Sequence, residues 1–188
     1  MKRVFFLLIG ILILCVACQD DFVEPENAPV TKSAKYERTK TFELRGHVSS
    51  IPDFNGPFVS CLPEGSGLVL AETGWVSGQV NILGQLMPEK CTYEGVSCEM
   101  DLTDGVPTVF ITANVELVRN NGDKIILVSH MVLDPLINEI SGYNEYIGGT
   151  GRFEGVTGEC NIINGVLDPD TGIASWEEVG EITLILKD

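Results

Sequence analysis

Residues 107–134 read PTVFITANVELVRNNGDKIILVSHMVLD, and this stretch decides the fold. Two runs rich in Val, Ile and Thr flank a polar knot centred on Asn121-Gly122. β-Branched side chains are stiff about χ1 and pack well on a pleated surface, so each run favours a strand. Asn-Gly suits a two-residue turn whose central residues both take positive φ. The expected hairpin sets Val118 opposite Ile125, Val115 opposite Val128, Ala113 opposite His130 and Ile111 opposite Val132. Side chains alternate across a strand. One face then carries Ile111, Ala113, Val115, Leu117, Ile126, Val128, His130 and Val132, and reads as core or lumen. Phe110, Thr112, Asn114, Glu116, Leu127, Ser129 and Met131 take the other face. His130 is the polar side chain on the apolar face, a candidate to orient a ligand or move a proton in a cavity. A core histidine bonded to a neighbour is the simpler account.

The same pattern extends in both directions. Thr41–Ser50, Leu68–Ala71 and Trp75–Leu83 are expected strands. Residues 51–67 hold Pro52, Gly56, Pro57, Pro63, Gly65 and Gly67 and read as a long loop. Residues 86–102 read as a strand pair interrupted by Pro88 and Gly95. No amphipathic helical period of useful length follows the N-terminal segment. Short strands with Gly, Pro, Asn and Asp between them point to an all-β sandwich or barrel.

Residues 147–163, IGGTGRFEGVTGECNII, form a glycine-dense corner leading into a strand from Glu159 to Leu167. Gly148, Gly149, Gly151, Gly155 and Gly158 permit close backbone approach or positive φ, and Phe153 is the large apolar anchor among them. A phosphate loop is excluded by the absence of a GK[ST] ending and of a following helix. The turn Asp168-Pro169-Asp170-Thr171-Gly172 precedes a last strand, Ile173–Leu186. Asp168 and Asp170 look like a carboxylate pair, but turn chemistry accounts for them. Glu177-Glu178 reads as an edge or exposed charge pair.

This corner resembles the allene oxide cyclase and dirigent group of small β-barrels, in which a GG[ST]G-x-F-x-G-x-x-G element precedes a strand. Gly148, Gly149, Thr150, Gly151, Phe153, Gly155 and Gly158 match it, and the chain looks most like the bacterial secreted branch of undefined role. Ser77-Gly78, Leu83-Gly84 and Asn121-Gly122-Asp123 sit where that branch has them. The resemblance implies a closed antiparallel barrel of about eight strands with an apolar interior. In that group the plant cyclases hold a fatty-acid epoxide during ring closure, and dirigent proteins orient radical coupling. The matched residues are structural and bring no catalytic residue with them.

At the other extreme, MKRVFFLLIGILILCVAC opens with Lys2 and Arg3, continues through an apolar run from Val4 to Val16, and ends in Ala17-Cys18. That run of 13 residues fits a signal-peptide core and is too short for a span of ~20. Residues 1–17 are expected to be a lipoprotein signal, with Cys18 the lipid-bearing first residue of the mature chain. Gln19-Asp20-Asp21 behind it resembles the surface-export signal of Bacteroidetes lipoproteins, so the expected address is the outer membrane, on the cell surface or its periplasmic face. Residues 18–40 are polar, with Pro25 and Pro29, and are expected to be a flexible tether before a barrel domain at 41–188.

The formal charge of −15 becomes −17 once the two cations of the signal are removed. Such a chain lacks the basic face that nucleic acid requires, so its membrane link is expected through the anchor alone. Cys61, Cys91, Cys98 and Cys160 make an even count in an oxidising compartment, which favours disulfides whose pairing is left open. No zinc spacing, cofactor motif or GxSxG elbow is present, so neither a metal nor a cofactor is expected. The expected function is a lipid-anchored barrel that binds an apolar small molecule or a protein partner. The alternatives are a cyclase or isomerase acting by confinement, and a purely structural envelope lipoprotein.

Overall fold

The computed structural model describes residues 38–61, 69–103 and 105–186. The expected signal 1–17, the lipidation site Cys18 and the tether up to residue 37 lie outside the described residues.

Eleven strands run in chain order: β1 (Arg38–Pro52), β2 (Phe58–Ser60), β3 (Val69–Ala71), β4 (Thr73–Val80), β5 (Gly84–Leu86), β6 (Thr92–Asp101), β7 (Thr108–Val118), β8 (Lys124–Asp134), β9 (Glu139–Gly149), β10 (Thr157–Leu167) and β11 (Ala174–Leu186). A single 3-10 turn, Gly151–Phe153, joins β9 to β10. The sheet order is β1-β11-β10-β9-β8-β7-β6-β4-β5, and β1 also pairs with β4. That last pairing, from Gly46 opposite Val80 to Pro52 opposite Gly74, closes eight strands into an antiparallel ring. Closure removes the unpaired edges that an open sheet would expose. Of the sandwich or barrel that the strand pattern allowed, the closed barrel that the resemblance implied is therefore the observed fold. β1 begins at Arg38, so the end of the expected tether is strand. β2 lies inside the stretch expected to be loop and pairs, as a separate hairpin, with β3, which is the strand expected at Leu68–Ala71.

The β7–β8 hairpin corrects the expected register by one residue. Arg119 N–H donates to Asp123 O, and Gly122 N–H donates to Arg119 O, so three residues form the loop. Gly122 sits at φ 90°, the left-handed position of a three-residue turn. Leu117 therefore faces Ile125, Ala113 faces Ser129 and Thr112 faces His130. With a side-chain period of two, this shift turns one whole strand over. Ile125, Leu127, Ser129, Met131 and Leu133 point inward with Ile111, Ala113, Val115 and Leu117. His130 turns outward and stacks on Tyr143 at 4.7 Å between ring centroids.

The glycine corner packs against this hairpin. Thr150 N–H donates to Lys124 O, Lys124 N–H donates to Thr150 Oγ1, and Phe153 is fully buried. Gly151 lies at φ 61° with Asp123 of the turn directly above its Cα, so a side chain there would collide. This end of the barrel is filled by Leu44, Val80, Leu83, Leu117, Ile125, Val156, Ile182 and Leu184. At the opposite end the β2–β3 hairpin leans over the barrel and is joined to β6 by the disulfide Cys61–Cys98, with Cα atoms 4.6 Å apart. Cys91 and Cys160, also offered as disulfide candidates, are buried thiols. Cys160 points into the lumen row beside Tyr146 and Glu178. The Cys91 thiol lies against the backbone of Val118, where its sulfur accepts from the Val118 amide at 3.3 Å.

Candidate functional site: the lumen

The packed end gives way, about halfway along the strands, to a cavity of about 120 Å³ that reaches toward the β2–β3 end. Its walls are apolar and come from every part of the ring: Val48 and Val76, Ile111 and Ala113, Leu127 and Met131, Ile140, Leu167 and Trp176. Val59 and Leu70 close over it from the β2–β3 hairpin. The space is ample for water, which needs about 10–15 Å³, and approaches the roughly 150 Å³ that holds a benzene ring.

Three buried polar residues interrupt this wall, besides the partly buried Ser50, Tyr93 and Ser97. Glu178 is 2% exposed, Asn144 2% and Ser129 3%, and all three line the cavity. They come from β11, β9 and β8 by the same rule that buries the apolar residues. Glu178 shares parity with Trp176, Ile182 and Leu184 on β11, and Asn144 with Ile140 and Tyr146 on β9. Ser129 lies directly opposite Asn144 in the β8–β9 pairing. The expected exposed pair Glu177-Glu178 is thus split: Glu177 faces outward opposite His47, and Glu178 faces inward.

Three neutral donors hold the Glu178 carboxyl. Asn144 Nδ2–H donates to Oε1 at 2.6 Å, Trp176 Nε1–H donates to Oε1 at 3.3 Å, and the Tyr146 hydroxyl donates to Oε2 at 3.2 Å. Burial pushes the Glu178 pKa above the ordinary glutamate value, and the bonds from Trp176, Tyr146 and Asn144 pull against that rise. Burial likewise pushes the Tyr146 hydroxyl well up, aided by the nearby Glu178 charge, and takes the Cys160 thiol up to about 12. Both therefore keep their protons at neutral pH. Asn144 Oδ1 is buried without a hydrogen-bond partner. A buried acceptor left without a donor costs free energy, so a native one calls for an explanation.

Chemically the lumen offers an apolar envelope, one carboxyl able to hold or take a proton, and one amide oxygen waiting for a donor. His130, the expected lumen residue, is outside the barrel. Glu116, which the expected register set on the face opposite His130, shares the outer face with it and bonds Lys124 at 2.7 Å. Asp168 spends its carboxylate on its own turn, accepting from Asp170 N–H and the Thr171 hydroxyl. Among the described residues no group of three or more His, Cys, Asp or Glu is placed to hold a metal ion. A second hollow of about 710 Å³, lined by Trp75, Glu94, Asn114 and Glu116, lies on the outer face and is open to solvent.

Fold and site together define a class: a closed eight-strand antiparallel barrel with an apolar lumen and a polar cluster halfway down it. Among solved structures the chain is similar to two pterocarpan synthase dirigent proteins. GePTS1 is 13% identical with a TM-score of 0.48, the match covering 85% of this chain and 99% of that one. PsPTS1 is 17% identical with a TM-score of 0.43, covering 81% and 99%. No protein-family model matches the sequence, and no curated protein does.

Proposed function

We propose that the domain is a small-molecule binding barrel that takes an apolar ligand, or the apolar end of one, into its lumen. The observation that carries this reading is an apolar cavity whose wall holds the buried polar residues Glu178 and Asn144, with Asn144 Oδ1 left without a hydrogen-bond partner. Ligand pockets join apolar walls to a few placed polar groups, and this lumen has that composition. The reading also takes up the N-terminal pattern: with Cys18 lipidated, the barrel would work at the outer membrane, on the cell surface or its periplasmic face. Mass measurement of the N-terminal peptide tests this, since an unmodified N-terminus at another residue contradicts it.

The binding experiment is a thermal-shift and native-mass screen of apolar single-ring compounds against the wild type and Ala113→Leu. Ala113 is 3% exposed and lines the cavity, so added carbons there occupy the ligand's space. Binding that disappears in Ala113→Leu supports the lumen site, and binding that survives there overturns it. The raised pKa of Glu178 favours a second reading, proton transfer to a confined substrate by a cyclase or isomerase. On that reading Glu178→Gln retains binding and loses turnover.

A further inference from the structure

We propose that the lumen ligand is a small apolar amine, bound as its ammonium by Glu178 and Asn144. The inference rests on the lumen-binding reading above and adds the chemistry of the ligand's polar end.

The donors that touch Glu178 are already used. Asn144 Nδ2, Trp176 Nε1 and the Tyr146 hydroxyl all point at the two oxygens of Glu178. Beside the Ser129 hydroxyl, which can donate or accept, what remain are acceptors: Asn144 Oδ1, which has no partner, and the unused lone pairs of a carboxylate, which can accept about four bonds and here receives three. A complementary ligand must bring donors rather than acceptors. An alcohol brings one donor. A primary ammonium brings three, and with them the positive charge that this site lacks.

Charge points the same way. No Lys, Arg or His is among the described residues lining the cavity. A carboxylate in such a wall is held by neutral dipoles alone, and burial correspondingly raises its pKa. A cation reaching it would supply the missing partner. Stripping water from an ammonium is costly, and the cost is recovered only by a paired, hydrogen-bonded charge, which Glu178 and Asn144 offer together. Size sets the rest of the ligand. About 120 Å³ is somewhat less than the roughly 150 Å³ that holds benzene, so the lumen suits one small ring or its equivalent with part of it directed toward the β2–β3 end.

The arrangement also makes binding pH-dependent. The other titratable groups facing Glu178 or lining the cavity are Tyr146 on β9, Cys160 on β10 and Tyr93 on β6. Burial takes both Cys160 and Tyr93 to about 12 and holds Tyr146 well above its usual value. Glu178 is then the lumen group that ionises first as pH rises. Amine binding requires its carboxylate form, so affinity rises with pH as Glu178 loses its proton, whereas binding of an alcohol does not need that ionisation.

The test is isothermal titration calorimetry of the wild-type barrel and Glu178→Gln with benzylamine, benzyl alcohol and toluene. The expected result is benzylamine tighter than benzyl alcohol by about tenfold or more in the wild type, as a charge-assisted contact requires. In Glu178→Gln that preference disappears while the alcohol still binds. An alcohol that binds as tightly as the amine overturns the inference, and so does a preference that survives in Glu178→Gln, which would seat the amine on surface carboxylates. Should Glu178→Gln not fold, the wild type decides alone: the ratio of amine to alcohol affinity rises as pH climbs above the ordinary glutamate value, and a constant ratio overturns the inference. If none of the three compounds binds, the lumen-binding reading itself has failed. If toluene and the alcohol bind and the amine does not, only the inference about the amine has.

Discussion

At the end of the barrel that carries the Asn121-Gly122 turn, Leu83, Leu117, Ile125, Phe153, Val156 and Ile182 are all 2% exposed or less. At the other end the same strands surround a cavity, and Phe54, Phe58, Leu102, Leu136 and Ile137 stand 48–67% exposed around it. The first end is packed by side chains that come from six strands or turns and leave little room. The second is walled by side chains, among them Leu127, Ile140 and Trp176, that stop short of filling it, and is held over by a hairpin that the Cys61–Cys98 disulfide joins to β6. The contrast shows a division of labour along the barrel axis: one end supplies stability, and the other can be left underpacked for a ligand. Glu178 and Asn144 lie at the boundary, where the packed layers are still close enough to hold a carboxyl in position.

Four perturbations measure this contrast. The largest effect is expected at the packed end. Phe153→Ala should cost about 3–5 kcal/mol in chemical denaturation, because a fully buried ring leaves a cavity that surrounding side chains cannot fill. Met131→Ala, on the half-buried cavity wall, should cost under about half as much. Equal losses at the two sites would erase the proposed difference in packing.

Next comes the disulfide. It closes a loop of sequence separation 37, for which chain entropy gives a stabilisation of about 3–4 kcal/mol, with strain and residual structure usually lowering it. Replacing Cys61 and Cys98 together by Ser should lower stability by about 2–4 kcal/mol and speed hydrogen exchange in β2 and β3 before the β7–β8 hairpin. Uniformly faster exchange throughout the barrel would show that the cross-link supports both ends alike.

The third effect is a pH slope. A carboxyl whose folded pKa is raised binds its proton more tightly in the native state than in the unfolded chain. Its contribution is therefore fully present below the ordinary glutamate pKa and is lost as pH rises toward the elevated folded value. Melting temperatures of wild type and Glu178→Gln should diverge across that window, the variant gaining relative stability as pH rises, by at most about 1.4 kcal/mol per pH unit. Parallel melting curves would mean that Glu178 is not the buried acid described.

The smallest effect is Gly122→Ala. Its φ of 90° disfavours a side chain, so the turn should lose about 1 kcal/mol, and a neutral result would show that the hairpin register does not depend on this residue.

Much of the barrel follows from local pattern. Alternation in β7, β8, β10 and β11 and the glycine corner at 147–158 all became the expected strands and corner. Register was harder, because Asn-Gly serves both a two-residue turn and the last positions of a three-residue one. The backbone bond from Arg119 N–H to Asp123 O selects the second, and one residue of slip was enough to send His130 outward. Leu127 and Leu133 on the inward parity of β8 carried that information, since two leucines outweigh one histidine in choosing a buried face. Glu178 was hidden by its neighbour: Glu177-Glu178 resembles a solvated pair until alternation is counted from Ile182 and Leu184. Asn144 needed the three-dimensional ring, because its hydrogen-bond partner Glu178 lies 34 residues away on β11.

The central claim is that a ligand enters the lumen as far as the polar cluster. Methyl-resolved nuclear magnetic resonance of the barrel titrated with an apolar single-ring compound tests it most directly. The account predicts shifts and ligand nuclear Overhauser contacts at Ala113, Leu127 and Met131, with Asn144 side-chain amide signals moving in step. Contacts confined to Leu102, Leu136 and Ile137 at the rim, with the interior methyls unmoved at saturation, would contradict it.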